Sequence, residues 1–183
     1  MRRHLIVYAL LFLVLSCIDL VSTRLCMAVR MSREANEILP QSLGAMIASE
    51  IAFGTVGCLS LTAALRWKGN LDVNPGEKRT LWRLIARLNR SPRAPIPFIC
   101  LLIAGLILWI KLIGGVNNLL LLTTGSGLYD RARALTPGIS SPHFYWLFTI
   151  VTDTIFLVGM IVGLVAHWIR TGSLWGRVQE AQR

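Results

Sequence analysis

The chain has 183 residues, of which 54% are hydrophobic, and a formal net charge of +10 at pH 7. Its mean hydropathy of +0.59 is too high for an ordinary soluble domain, and its polarity is too uneven for a disordered chain. In a soluble protein this excess of positive charge would indicate nucleic acid as a partner. Here the basic residues cluster between apolar segments, which favours anionic lipid headgroups of a bilayer and argues against nucleic acid.

Four apolar segments follow one another along the chain, over about residues 5–23, 43–65, 96–122 and 144–169. As helices, at about 1.5 Å per residue, they are long enough to cross a hydrocarbon core of about 30 Å. A helix satisfies its backbone polar groups internally, and the segments lack the alternation typical of β-barrel strands. The sequence therefore predicts an all-α fold, an integral membrane four-helix bundle that forms a single transmembrane domain over residues 1–183.

The first apolar segment is also similar to a lipoprotein signal peptide. The residues VLSC, from Val14 to Cys17, follow a basic start and an apolar run. However, Leu15 fits the usual cleavage pattern poorly, and the helical pattern continues past Cys17. We therefore favour a first span that is retained over one that is cleaved.

Loop charges predict the orientation in the membrane. The middle loop, residues 66–93, holds eight lysines or arginines and two acidic residues, whereas the other two loops are nearly balanced. The positive-inside rule places this loop on the cytoplasmic side, and both chain termini with it. The predicted location is therefore the cell membrane, inner or plasma, with several spans and with cytoplasmic N- and C-termini.

The middle loop also has helical features. The run from Asn74 to Glu77 is typical of a helix start, and the following residues are amphipathic. We expect a helix over about residues 75–90 that lies in the membrane interface. The alternative is a helix docked on the bundle or on a partner. The side chains expected to bind the lipid surface are Arg79, Arg83, Arg87, Arg90 and Trp82.

Each span carries one ionisable residue deep in its apolar run: Asp19, Glu50, Lys111 and Asp153. Each lies about 15 residues from the predicted cytoplasmic end of its span, or roughly 22 Å along a helix. A charge at this depth costs at least a few kcal/mol unless it is paired or hydrated. We therefore expect the four side chains to face one another or a water-filled cavity.

The balance of these charges favours a functional site. Lys111 neutralises only one carboxylate, so two acids remain to be protonated, hydrated or bound to a cation. The structural alternative is one ion pair and a neutral acid that together hold helices in place. Polar residues expected to support the site are Thr23, Ser49, Asn118 and Thr149.

The sequence contains no zinc-ligand spacing, phosphate loop or dinucleotide fingerprint, and none of its cysteines forms a CxxC pair. We therefore expect no metal and no cofactor, and an enzyme is not favoured. The leading hypothesis is a proton- or cation-linked transport or channel-like protein. The second is a non-catalytic subunit of a larger membrane complex, with other subunits or a second copy as partner. The third is a membrane enzyme that acts on lipid, with paired acids as acid and base.

The first hairpin carries two sequence elements, Asp19-x-x-x-Thr23 and Glu34-x-Asn36. These elements resemble a family of uncharacterised small four-span prokaryotic membrane proteins. In that family proline directly follows the asparagine, whereas here Glu37 does. The resemblance implies a four-span fold and carries no known activity.

Overall fold

Four long apolar helices dominate the computed structural model, which describes residues 2–29, 42–67, 71–74, 76–136, 138 and 141–175. This described part of the chain is all-helical. Its helices are α1 (Arg2–Ala28), α2 (Leu43–Arg66), α3 (Leu81–Leu88), α4 (Ile96–Thr124), α5 (Leu128–Ala134) and α6 (Ser141–Thr171). Helices α1, α2, α4 and α6 are long and apolar enough to cross a membrane, as the four predicted spans require.

Helix α4 is the central helix. Helices α1 and α2 pack against one side of it and against each other, while α6 packs against a different side. The side toward α1 and α2 contributes the buried residues Ala104, Ile107, Lys111 and Gly115. Because α6 has its main contacts with α4, α5 and α3, it lies apart from the α1–α2 pair.

Small residues allow the close approach of α1 to its neighbours. A side chain added at Gly57 on α2 would collide with the Tyr8 hydroxyl, and one added at Gly114 on α4 would lie 2.9 Å from Asp19 Oδ1. The Tyr8 hydroxyl donates a hydrogen bond to the Ala104 carbonyl at 3.2 Å. In lipid, where hydrophobic driving force between helices is absent, such close packing and interhelical hydrogen bonds hold helices together.

Helix α6 is fully buried only at its ends. Phe144 and Trp168 are buried, whereas no residue between them, over 145–167, is buried. On α6, Gly159 and Gly163 have the four-residue spacing of helix-packing motifs and face open space. Much of the α6 surface is therefore exposed.

A small hydrophobic cluster lies at the end of the molecule that carries the basic middle loop, which we call the basic end. Its buried members are Leu71, Val73, Leu84, Trp168 and Leu174. The Trp168 indole Nε1 donates to the Leu71 carbonyl at 2.7 Å, which ties the middle loop to the end of α6. One side of α3 is thus docked on the protein through Leu84, as in the alternative stated above. The opposite side is open: the Trp82 side chain is 78% exposed.

The short helix begins later than its sequence signature predicts. It starts at Leu81 and ends at Leu88, and the Thr80 hydroxyl caps it by accepting from the Arg83 N–H at 3.3 Å. The residues predicted to start it form a turn instead, in which the Glu77 N–H donates to the Asn74 carbonyl at 3.2 Å. The φ of 88° at Gly76 explains this outcome, because a left-handed residue interrupts a right-handed helix. Pro75 lies outside the described residues.

The predicted lipid-facing arginines divide into two pairs. The Arg87 guanidinium donates to the Asp72 carbonyl and forms an ion pair with Glu77 at 2.9 Å, and only 15% of its side chain is exposed. Arg79 Nη1 donates to the Arg170 carbonyl at 3.0 Å. Arg87 and Arg79 therefore make contacts within the protein that hold the middle loop to α3 and α6. Arg83 and Arg90 are exposed.

The Glu77–Arg87 pair is expected to make the stability of this loop depend on pH. The hydrogen bond from Arg87 lowers the pKa of the Glu77 carboxyl below its ordinary value of 4.5. A carboxyl whose pKa is lower in the folded state stabilises the fold above its unfolded pKa, and this contribution is lost as pH falls through the folded pKa. Wild type should therefore have a higher melting midpoint than Glu77→Gln near neutral pH. This difference in midpoint should disappear at acid pH.

Thermal unfolding of both proteins in detergent, from about pH 7 down to about pH 3, measures this difference. A difference in melting midpoint that stayed constant over the whole range would contradict the prediction.

Candidate functional site

Three of the four ionisable residues predicted within the spans meet at one place. Lys111 Nζ on α4 lies 3.1 Å from Asp19 Oδ2 on α1 and forms a second ion pair with Glu50 Oε1 on α2. The side chains are shielded, with 8% of Lys111, 18% of Asp19 and 15% of Glu50 exposed. One ammonium group is therefore shared by two carboxyl groups from two other helices. We call these three residues the charged cluster.

The charged cluster is not electrically balanced. If both carboxyl groups are ionised, its net charge is −1, and burial in a membrane makes an excess charge costly. One polar atom is also unsatisfied: Glu50 Oε2 is buried and has no hydrogen-bond partner among the described residues. A proton on Glu50 or Asp19 would remove the excess charge, and water would satisfy the unpaired oxygen.

Polar side chains extend the charged cluster along α1 and α4. Asn118 Nδ2 lies 2.8 Å from Thr23 Oγ1 and 3.5 Å from Asp19 Oδ1, so this amide connects the two α1 side chains. One turn from Asp19 in the other direction, the Ser16 hydroxyl is buried and has no partner among the described residues. Polar groups therefore lie on both sides of Asp19 along the α1–α4 contact.

Local packing explains how three charges reach one point. Because Gly114 has no side chain, the Asp19 carboxyl fits directly against α4, one turn from Lys111. The Phe53 ring lies one turn from Glu50, with its centroid 5.3 Å from Lys111 Nζ, and its face attracts the ammonium group. Sequence patterns did not identify Phe53 as part of the site. An aromatic residue three positions after a membrane-embedded acid was the available signal.

Asp153 is the exception, and its predicted place among the other charges is wrong. The described ion pairs of Lys111 are with Asp19 and Glu50, while Asp153 is half-buried beside Trp109. The Trp109 ring stacks on Phe156 of α6, with centroids 4.7 Å apart.

Asp153 is kept apart from Lys111 by the directions in which side chains point from α4, and not by its depth along α6. Counted along their helices, all four ionisable residues lie roughly 22–27 Å from the basic end. Trp109 and Lys111 are two positions apart on α4, so their side chains point about 200° apart. Because α6 packs on the Trp109 side, Asp153 is carried away from Lys111.

The supporting polar residues also divide. Asn118 contacts both Asp19 of the charged cluster and Thr23. Ser49 instead donates to the Met46 carbonyl of its own helix at 2.7 Å. Thr149 is half-buried on α6 and accompanies Asp153 away from the cluster. Glu34 and Asn36, which carry the family resemblance together with Asp19 and Thr23, lie outside the described residues, as does Glu37.

The charged cluster offers two carboxyl groups, one ammonium group and nearby amide and hydroxyl groups. Among the described residues, no group of three or more histidine, cysteine or acidic side chains is placed to hold a metal ion. The cluster can bind and release a proton, and with water it can stabilise a small cation. No protein family, no curated protein and no solved structure matches this chain.

Proposed function

We propose that this protein is a small proton-linked transport or channel-like protein, and that Asp19, Glu50 and Lys111 form its proton-binding site. The observation that carries the proposal is the shared ammonium: two carboxyl groups face one lysine, and Glu50 Oε2 is buried without a partner. Because the ionised cluster has an excess negative charge in a poorly hydrated place, binding one proton is favourable. When the proton leaves, the charged cluster returns to a net charge of −1 and can bind the next proton, as transport requires.

A proton suits the site better than a metal cation. The Lys111 ammonium lies between the two carboxyl groups and repels any cation that enters there. A proton needs only one carboxylate oxygen, whereas an alkali or alkaline-earth cation needs several oxygen ligands. Ser16 on one side and Thr23 with Asn118 on the other provide polar steps toward the two membrane surfaces.

We place the protein in the cell's inner or plasma membrane as a four-helix bundle with both termini and the middle loop on the cytoplasmic side. The positive-inside rule supports this orientation. The Arg79 contact with the Arg170 carbonyl, and the His4 ring 5.9 Å from the Trp175 ring, bring the basic loop and both described chain ends to one end of the molecule. The open side of α3, with Trp82, Arg83 and Arg90, would then lie at the lipid interface.

Proton flux into liposomes tests the proposal. Purified protein is reconstituted in phosphatidylcholine vesicles with a trapped pH dye, and a potassium gradient with valinomycin supplies the driving force. We expect Glu50→Gln to lower the flux by about tenfold or more, because the site then carries no excess charge to bind a proton. The matched control is Asp153→Asn, which removes a carboxylate at similar depth on the other side of α4.

The control should keep its flux within about twofold of wild type. Wild-type flux no greater than that of empty vesicles, or equal losses in both variants, would contradict the proposed role of the charged cluster.

A second candidate is a subunit of a larger membrane complex. The exposed length of α6, where no residue from 145 to 167 is buried, favours it because a partner helix could pack there. The Gly159 and Gly163 positions would allow close approach. Absence of proton flux from the isolated wild-type protein would favour this second function over the first.

A further inference from the structure

A groove opens at the basic end of the first span, away from the charged cluster. It has a volume of about 400 Å³ and lies between the start of α1, the end of α2 and the segment that follows α6. Its floor and walls include Val7, Leu11 and Leu61, and its rim includes Arg3, His4 and Trp175. This volume falls within the range of small-molecule sites, about 300–1,000 Å³.

The rim of the groove offers cationic and N–H donor groups. Arg3 and His4 are exposed, and the His4 ring meets the Trp175 ring edge-on at 5.9 Å. The Trp175 indole Nε1 is buried and has no hydrogen-bond partner among the described residues. The Tyr8 hydroxyl is already used by its bond to the Ala104 carbonyl. With no carboxylate among its lining residues, the rim is complementary to an anion.

The interior of the groove is suited to a hydrocarbon chain. Val7 and Leu11 lie one turn apart on the same side of α1, directly below Arg3 toward the membrane centre, and Leu61 faces them from α2. About half of the Val7 and Leu11 surface is exposed. An occupant with an anionic head at Arg3 and an apolar tail along Leu11 would match the order of these groups along the helix.

We propose that the groove binds one anionic phospholipid. Its phosphate contacts Arg3 and His4 beside the Trp175 ring, and one acyl chain lies along Val7, Leu11 and Leu61. This end of the molecule also carries the basic middle loop, and the cytoplasmic leaflet toward which such loops face is rich in anionic lipid. The site goes beyond the proposed proton function and shares no residue with the charged cluster.

Native mass spectrometry of the detergent-solubilised protein tests this site. The probes are dioleoyl-phosphatidylglycerol and dioleoyl-phosphatidylcholine, added at equal concentrations. We expect wild type to retain the anionic lipid in preference, and Arg3→Gln to lower its bound fraction by about tenfold because a charge-assisted contact is lost. The matched control is Arg2→Gln, which removes the same charge from a neighbouring exposed residue that does not line the groove.

A second pair of variants tests the acyl-chain contact. Leu11→Trp fills the groove and should reduce binding of the anionic lipid, whereas Leu10→Trp, on a surface outside the groove, should not. Equal losses in the two arginine variants would mean diffuse attraction to the basic end and would overturn the proposal. Equal retention of the two lipids by wild type, or equal effects of the two tryptophan variants, would also overturn it.

Discussion

Replacing Lys111 by methionine is expected to destabilise the protein severely. Asp19 and Glu50 would then lie close together between three helices without their shared cation. Removing one partner of a buried ion pair typically costs about 3–5 kcal/mol, and here two carboxyl groups lose their partner at once. We expect Lys111→Met to yield mostly aggregated protein in gel filtration and a clearly lower melting midpoint in detergent.

Neutralising the two acids should reverse this loss. In the triple variant Asp19→Asn, Glu50→Gln and Lys111→Met, no charge remains in the cluster, and neutral replacements of a buried ion pair are often tolerated. Its melting midpoint should return to within a few degrees of wild type, although proton flux would be absent. The comparison separates loss of packing from loss of charge balance. A Lys111→Met protein as stable as wild type would show that the ion pairs contribute little.

Replacing Trp168 by alanine is expected to release the middle loop. Trp168 is fully buried, packs with Leu84 and Val73, and donates to the Leu71 carbonyl. Truncating a buried tryptophan typically costs about 3–5 kcal/mol. Because this cluster joins α3 to the end of α6, the loss should appear as local opening of the segment from 71 to 88 rather than as separation of the spans.

Limited trypsin digestion of the purified protein measures this opening, since Arg79, Arg83 and Arg87 lie in the segment. Cleavage there should be at least about tenfold faster in Trp168→Ala than in wild type. The matched control is Trp146→Ala, whose side chain is 51% exposed on the same helix and which should leave cleavage unchanged. Unchanged cleavage in Trp168→Ala would mean that the loop is held by its arginine contacts alone.

The charged cluster and the docked loop differ in how far the sequence anticipated them. The depth of Asp19, Glu50 and Lys111 followed from counting residues at about 1.5 Å each, and these three do meet. The docking of α3 was only an alternative, because an amphipathic pattern identifies an apolar face without identifying what covers it. Leu84 packs in a cluster with Trp168 and Leu71, which are 84 and 13 positions away in the chain.

The start of α3 differs from its predicted position for another reason. The sequence predicted Asn74 as the cap, and Thr80 was not singled out. Both belong to residue types that cap helices, so residue type by itself does not decide between them. In the folded protein the contacts of Arg87 with Asp72 and Glu77 hold Asn74, which lies between them, in a turn. Thr80 is then left as the cap.

Hydrophobic run length by itself predicted four long apolar helices, each able to span a membrane, and their limits to within a few residues. The physical reason is that a helix satisfies its backbone polar groups within the segment. Counting residues from the end of each apolar run also predicted the position of each ionisable residue along its helix. Only the tertiary structure decided which of them meet, because the direction of a side chain around a helix has meaning only once neighbouring helices are in place. Lys111 and Trp109 point to different neighbours, so Asp153 joins the tryptophan while Asp19 and Glu50 join the lysine.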